Sequence, residues 1–193
     1  GVGSNGLIYY VLSSQLHDVA GRMYSYNPAN NEIKLAGDLT EAAGEKGMNA
    51  IAQGKSHVNF MEHGGKLYFS THLGYYSIID DMEKPGVPPA GFKPYQGGHL
   101  MAYDMKTGKF ESFGVHPTKE GILSTSMDGK RGRMYGITWP TGYFFRYDIA
   151  RKEWKDFGAM FRLGENGKKD QYRTLCRSIP IDPRDGSAYF TDG

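Results

Sequence analysis

The sequence predicts an all-β fold made of repeated four-stranded antiparallel units. Glycine accounts for 27 of the 193 residues and aromatic residues for 13%. Short aromatic and β-branched runs alternate with turns rich in glycine and aspartate, which is typical of all-β proteins. Only residues 39–52 favour a turn or two of helix. Besides the composition and the strand-like runs, an internal repeat that covers nearly the whole chain predicts this fold.

The repeat consists of three recognisable strand patterns in a fixed order. Gly-x-apolar-Tyr occurs four times, beginning at Gly6, Gly65, Gly132 and Gly186. After each of the first three copies comes a second strand, written GRMYSYN, GHLMAYD or GYFFRYD. A turn that starts with Asp or Asn then leads to a third strand, written NEIKLAG, GKFESFG or KEWKDFG.

A further strand precedes the last three Gly-x-apolar-Tyr copies, as HVNFMEHG, GILSTSMDG and CRSIPIDPRDG. Four antiparallel strands per unit, with units in series, is the arrangement of β-propeller blades. We expect a single propeller region over residues 1–193, with blade units at about 1–37, 57–114, 121–158 and 174–193. The first unit lacks its innermost strand and the last ends after two strands. About three and a half blades are therefore present, and we expect a fragment of a larger, seven-bladed propeller.

The bulk composition excludes several classes of function. With 23 basic and 21 acidic residues the net charge is +2, which does not favour a nucleic-acid partner. The one cysteine, Cys176, rules out an internal disulfide framework. No apolar run is long enough to span a membrane, and no signal-like segment is present.

Three histidines between residues 55 and 76 are the first candidates for chemistry. In the predicted blade, His57 begins the inner strand and His72 ends the next strand, so both face the rim that carries the inter-blade connections. His63 lies with Gly64 and Gly65 in the hairpin turn on the opposite face, where an exposed turn residue is expected. An alternative for His57 and His72 is a structural role, with each ring bonded to neighbouring backbone.

The same rim carries aromatic and basic residues that depart from the repeat. Tyr75 and Tyr76 lie in a connection over residues 73–97, far longer than a hairpin requires, and loops of this length are commonly functional. Trp139 occupies the corresponding place in the next unit. These aromatic residues are candidates to stack on a sugar ring, and Arg146 and Arg173 are candidate substrate-binding cations.

The segments QGKSHVNF, GKLYFSTHLGYYSIID, GGHLMAYDMKTGKFESFG and RMYGITWPTGYFFRYD resemble bacterial propeller proteins found among polysaccharide-degrading proteins. More distantly, they resemble the propeller lyases that act on ulvan and on oligogalacturonate. The resemblance implies His57 and His72 as catalytic residues and a periplasmic or extracellular location. It also implies a tyrosine and an arginine in the next blade, where this sequence has Leu123 and Trp139 instead; Tyr75, Tyr143 or Arg146 are possible substitutes.

The resemblance leaves the cofactor open. The ulvan type implies no cofactor. The oligogalacturonate type implies a divalent metal, for which His57, His72 and His99 with Gln53 or Gln96 are the available ligands.

Two functions follow as expectations. The first is a carbohydrate-active propeller that binds, or binds and also eliminates from, an acidic oligo- or polysaccharide at the loop-face channel. The second is a non-catalytic scaffold whose partners are other propeller blades or protein subunits, since a fold does not fix a function. The rim of His, Trp, Tyr, Arg and Lys residues favours the first, and the missing tyrosine and arginine favour the second.

Overall fold

The computed structural model describes residues 1–191 of the chain and contains two compact units, Gly1–Lys119 and Glu120–Gly193. Residues 192 and 193 lie outside the described part. The strands of the first unit are β1 (Ile8–Leu12), β2 (Arg22–Asn27), β3 (Glu32–Asp38), β4 (Met61–His63), β5 (Lys66–Ser70), β6 (Tyr76–Ile79), β7 (Met82–Pro85), β8 (His99–Asp104) and β9 (Phe110–Val115), with a short helix α1 (Leu39–Ala42) after β3. Those of the second are β10 (Gly121–Asp128), β11 (Arg133–Trp139), β12 (Tyr143–Asp148) and β13 (Glu153–Ala159).

The predicted all-β fold of four-stranded antiparallel propeller blades is confirmed. Blade 1 is the antiparallel sheet β1-β2-β3, blade 2 is β4-β5-β8-β9, and blade 3 is β10-β11-β12-β13. Blade 1 has three strands, as predicted, and Val2 forms a single bridge to Ile8 at the edge where an innermost strand would lie. The boundary between the two units, at Lys119, falls between the predicted second and third blades.

The inner strand of blade 2 is shorter than predicted. Regular pairing covers only β4, where Met61 lies opposite Tyr68. Further along, Lys55 forms an isolated bridge with His72. Between these two pairings the inner strand has five residues, 56–60, and the strand opposite it has three, 69–71. The chain from Ser56 to Phe60 therefore bulges out of the sheet.

The long connection of blade 2 is structured. Its strands β6 and β7 pair as an antiparallel hairpin. Asp80 and Asp81 form the turn with φ values of 52° and 61°, the left-handed conformation that aspartate tolerates better than most residues. Residues 76–85 of the predicted loop therefore form a two-stranded arm.

The last segment differs from the predicted pair of strands. From residue 174 to residue 191, Ile181 and Ala188 form the one bridge among the described residues, instead of two regular strands. Pro180 and Pro183 lie on one side of this hairpin, and proline has no backbone N–H to donate to a sheet. The segment packs by its aromatic side chain instead, with Phe190 against Phe144 and Phe161.

Blades 1 and 2 pack through a hydrophobic cluster that follows from the repeat. We call the face carrying the repeated tyrosine of each unit the trailing face (Tyr9, Tyr68, Tyr135 and Tyr189). The opposite face, carrying the preceding residue in the first three units, is called the leading face (Ile8, Leu67 and Met134). Tyr9 and Met23 on the trailing face of blade 1 are buried with Leu67, Phe69, Met101 and Tyr103 on the leading face of blade 2. The rings of Tyr9 and Tyr103 lie 5.8 Å apart between centroids. The repeated tyrosine of the first unit therefore packs between blades 1 and 2.

Replacing a ring at the centre of this cluster is expected to destabilise the first unit. Phe69 is fully buried between Phe60 and Phe110. Phe69→Ala should lower the free energy of unfolding by about 3–5 kcal/mol through lost transfer energy and a residual cavity. Urea denaturation followed by circular dichroism measures this. Ile78→Ala, at a residue 68% exposed, is the control; equal losses in the two variants would contradict the assigned packing.

Candidate functional site

The backbone places the two predicted catalytic histidines together. The Lys55 N–H donates to the carbonyl of His72 at 2.9 Å, and the His72 N–H donates to that of Lys55 at 2.8 Å. His57 lies in the bulge two residues after Lys55 and is exposed, whereas His72 is 1% exposed. Their rings meet edge to face, with 4.8 Å between centroids and an interplanar angle of 73°. The bulge therefore turns His57 towards solvent while keeping its ring against His72.

Tyr76 and Lys55 extend this pair into a group of four side chains. The Tyr76 ring lies 6.3 Å from the His72 ring between centroids. Lys55 Nζ lies 4.5 Å from the centre of the Tyr76 ring and donates a long hydrogen bond of 3.4 Å to its hydroxyl. The Tyr76 hydroxyl in turn donates to the Leu73 carbonyl at 3.1 Å. We call His57, His72, Tyr76 and Lys55 the histidine group.

The electrostatics of the group centre on Lys55. Partial burial lowers the pKa of its ammonium from the ordinary value, and the carboxylate of Glu83, on the β6–β7 arm, opposes this shift. A partly desolvated ammonium interacts more strongly with an anion than a fully hydrated one. The histidine group thus combines imidazole, phenol and ammonium at one edge of blade 2.

Tyr75 points away from its neighbour. Its ring packs edge to face against His17, with 5.7 Å between centroids, and His17 packs against Phe92 at 4.6 Å. Since successive residues of an extended segment face opposite sides, the side chains of Tyr75 and Tyr76 contact different residues. The structure brings Tyr76, but not Tyr75, to the histidine pair.

Of the three predicted residues of the second unit, two are held by hydrogen bonds, and the third, Arg146, has a buried Nε atom with no hydrogen bond. Trp139 is 4% exposed and donates its indole N–H to Glu165 at 2.7 Å, so it presents no open face for a sugar. Arg146 lies in the middle of blade 3, in register with Tyr135 and Lys155. Arg173 donates to the carbonyls of Asp170 and Tyr172 at 2.7 and 2.6 Å.

A buried hydrogen-bond network adjoins the histidine group, since its member Gln53 lies two residues before Lys55 in the chain. The side-chain amide of Gln53 donates to Glu45 at 3.1 Å and to the Gly97 carbonyl at 2.9 Å. Its oxygen accepts from the hydroxyls of Thr71 and Tyr95, both at 2.7 Å. These four bonds use the full capacity of the amide. Sequence reasoning missed Glu45, which lies in the glycine-flanked run GEKG with no repeat equivalent to mark it.

The network also occupies His99. Its two ring nitrogens lie 2.8 Å from Glu45 and 2.7 Å from Ser112. Gln96 donates to the Pro94 carbonyl instead. Throughout residues 1–191, no group of three or more His, Cys, Asp or Glu side chains is arranged to hold a metal ion. The ligand set of His57, His72 and His99 with a glutamine is therefore not assembled.

A cleft of about 300 Å³ opens on another side of Glu45. Carboxylates of Asp18, Asp38 and Glu41 line it together with Phe92. Asp38 accepts from the backbone at the start of α1, and Glu41 pairs with Lys46 at 2.9 Å. The excess of carboxylates makes this cleft unsuitable for an anionic sugar, in contrast to the histidine group.

Comparisons with known proteins concern the fold. No protein-family model and no curated protein matches the chain. A similar solved structure is the extracellular domain of a putative one-component system from B. thetaiotaomicron, with 17% identity and a TM-score of 0.50 over 91% of this chain and 19% of that one. The tricorn protease matches with 14% identity and a TM-score of 0.32, over 100% of this chain and 22% of that one. The chain thus spans about a fifth of each. Among the described residues no helix is long and apolar enough to cross a membrane.

The network predicts a specific dependence of stability on pH. Burial, reinforced by the charge of Glu45, raises the pKa of Tyr95 well above its ordinary value of 10.0. A raised pKa in the folded state stabilises the fold below the pKa of the unfolded chain, and this contribution is lost as the pH rises further. The unfolding free energy should therefore fall above about pH 10, by up to about 1.4 kcal/mol per pH unit from Tyr95.

Tyr95→Phe removes this titrating group, so the decline in unfolding free energy should be shallower by up to about 1.4 kcal/mol per pH unit. At neutral pH the same substitution should lower the unfolding free energy by about 1 kcal/mol through the lost hydrogen bond. Urea denaturation between neutral and alkaline pH measures both effects. Tyr189→Phe, at a residue 58% exposed, is the control. If the unfolding free energy of Tyr95→Phe falls with pH as steeply as that of the wild type, the pKa of the Tyr95 phenol is not raised in the folded state.

Proposed function

We propose that the chain binds an acidic oligo- or polysaccharide at the histidine group and cleaves it by β-elimination. The observation that supports this is the contact series His57–His72–Tyr76–Lys55 at one edge of blade 2. It groups a candidate base, a candidate acid and a cation.

Elimination from a uronate needs these three functions. The base removes the proton at C5, the C4–C5 double bond forms, and the C4–O4 bond breaks while the leaving oxygen takes a proton. Negative charge develops on the carboxylate side during the step, so a cation beside the carboxylate stabilises the transition state. The step needs no redox partner, and Lys55 supplies a positive charge without a metal.

The geometry suggests a role for each side chain. His57 is exposed and can reach the C5 proton. His72 is buried against it and acts as a positioning residue. Tyr76 carries the proton for the leaving oxygen, and the nearby ammonium of Lys55 stabilises both the phenolate that remains and the sugar carboxylate.

The proposal also covers the location of the protein and the predicted substrate-binding residues outside the histidine group. A periplasmic or extracellular location fits a polysaccharide substrate. An extracellular domain is among the proteins with a similar fold. Arg146, Arg173, Trp139 and Tyr75 are not needed for the proposed step.

A non-catalytic scaffold is the second candidate, and one observation favours it. The leading face of blade 1 exposes Ile33 and Leu35 by 60% and 58%. Exposed apolar surface of this kind often marks a protein interface.

Activity measurements on two histidines separate the candidates. Incubation with uronate polysaccharides, followed by the ultraviolet absorbance of the unsaturated product, should show turnover. His57→Ala should lower kcat by about a hundredfold to ten-thousandfold, because it removes the base. His72→Ala should shift the pH profile of kcat as well as lower it, because His57 loses its packing partner.

His63→Ala is the matched control, since His63 is an exposed residue at the far turn of the same blade. It should behave as wild type. Absence of product from every uronate polysaccharide tested, or equal rates in His57→Ala and wild type, would overturn the elimination proposal.

A further inference from the structure

The β6–β7 arm, which forms its own two-stranded sheet, has one face that opens to solvent. In the register of its strands Ile78 lies opposite Glu83, and Tyr76 lies opposite Pro85. Since side chains alternate along a strand, these four residues share one face of the arm and Ile79 lies on the other. Ile78 is 68% exposed, and Glu83 is exposed as well. We call the surface formed by Tyr76, Ile78 and Glu83 the open face of the arm.

The open face begins at the histidine group. Tyr76, at its base, packs on His72 and lies under the Lys55 ammonium. Ile78 is two residues further along the same strand, about 7 Å from Tyr76. Glu83 is close enough for its charge to oppose the lowering of the Lys55 pKa that partial burial causes. A saccharide chain that leaves the histidine group along the arm therefore meets Ile78 and Glu83 next.

The charge of the arm limits which sugar fits there. Between residues 76 and 85 the arm carries three carboxylates, those of Asp80, Asp81 and Glu83, and one ammonium, that of Lys84. A second carboxylate or a sulfate on the saccharide would lie against this negative charge, and like charges held close together repel. An uncharged sugar instead has hydroxyl groups that can donate to Glu83, and hydrogen bonds to an ionised acceptor are stronger than neutral ones. Its C–H groups can pack on Ile78.

We propose that the open face of the arm is a subsite for an uncharged sugar, with Glu83 as the hydrogen-bond acceptor and Ile78 as the apolar contact. The subsite rests on the proposed function, since Lys55 of the histidine group holds the uronate beside it. The protein then selects a heteropolysaccharide in which the bound uronate has an uncharged neighbour. It discriminates against chains composed only of uronates, and Glu83 is the residue that sets this discrimination.

Isothermal titration calorimetry with two oligosaccharides of equal length tests the charge selection. One probe alternates uronates with uncharged hexoses, and the other, the uniform probe, contains uronates only. Both titrations use the His57→Ala background, so that turnover of either probe is negligible. The alternating probe should bind at least about tenfold tighter, because the uniform probe places a second carboxylate against Glu83.

Glu83→Gln identifies the residue responsible. The amide keeps hydrogen-bonding capacity but removes the negative charge. The uniform probe should therefore bind about tenfold tighter, while binding of the alternating probe changes by less than about threefold. Asp81→Asn is the matched control, because it removes one carboxylate from the same arm at a turn position with a φ of 61°, which asparagine also adopts. It should preserve the preference for the alternating probe.

Ile78→Ala tests the apolar contact. It should weaken binding of the alternating probe about threefold to tenfold, since it removes aliphatic surface that the sugar covers. Ile79→Ala makes the same substitution on the opposite face of the same strand, at a residue 43% exposed, and should leave binding unchanged. Circular dichroism verifies that all the variants remain folded.

The outcomes separate this subsite from the proposed function. If the uniform probe binds as tightly as the alternating probe, or if Glu83→Gln leaves the ratio of the two affinities unchanged, the subsite is overturned while uronate binding at the histidine group stands. Equal losses of affinity in Ile78→Ala and Ile79→Ala also overturn it. If neither probe binds, the proposed function fails and the subsite fails with it.

Discussion

The buried amide of Gln53 joins four separate parts of the first unit. It binds Glu45 in the connection between blades 1 and 2, Thr71 just after β5, and Tyr95 and Gly97 at the end of the long connection. Every hydrogen-bonding position of the amide is used, so moving any one segment would leave a buried polar group without a partner. This constraint fixes where the inter-blade connection meets the end of the second strand.

The histidine group depends on that meeting point. Immediately after Gln53, the chain at Gly54 passes so close to Gly74 and Ser14 that a Cβ atom would lie 2.7 Å from Gly74 Cα and 2.8 Å from the Ser14 carbonyl. Lys55 then forms its bridge with His72, which directly follows Thr71. The bulge beyond the bridge turns His57 outward. Tyr76 belongs to the arm that leaves from the same corner, so one local arrangement assembles all four side chains.

The fold was largely predictable from the sequence, because alternation of apolar and polar residues and the repeated turns are local signals. The repeat located the strands of blades 1 and 3, but not the bulge after Lys55, which depends on pairing with His72 across the sheet. It also overestimated the strands of the last segment, where Pro180 and Pro183 interrupt pairing. Within the site, strand ends predicted that His57 and His72 would face the same rim, but not that their rings would be in contact. Alternation could not reveal that Trp139 is bonded to Glu165, or that His99 is bonded to Glu45, since both contacts join residues distant in sequence.

Native-state hydrogen exchange of Gln53→Ala tests most directly whether this amide holds the histidine group in place. The amides of Lys55 and His72, which donate to each other's carbonyls, should exchange at least about tenfold faster than in the wild-type chain through local opening. Amides of Met101, Ala102 and Tyr103 in β8, beyond the residue that belongs to the network, serve as the internal reference and should change much less. If Lys55 and His72 keep their protection, or lose it only in step with β8, the central role of Gln53 is contradicted.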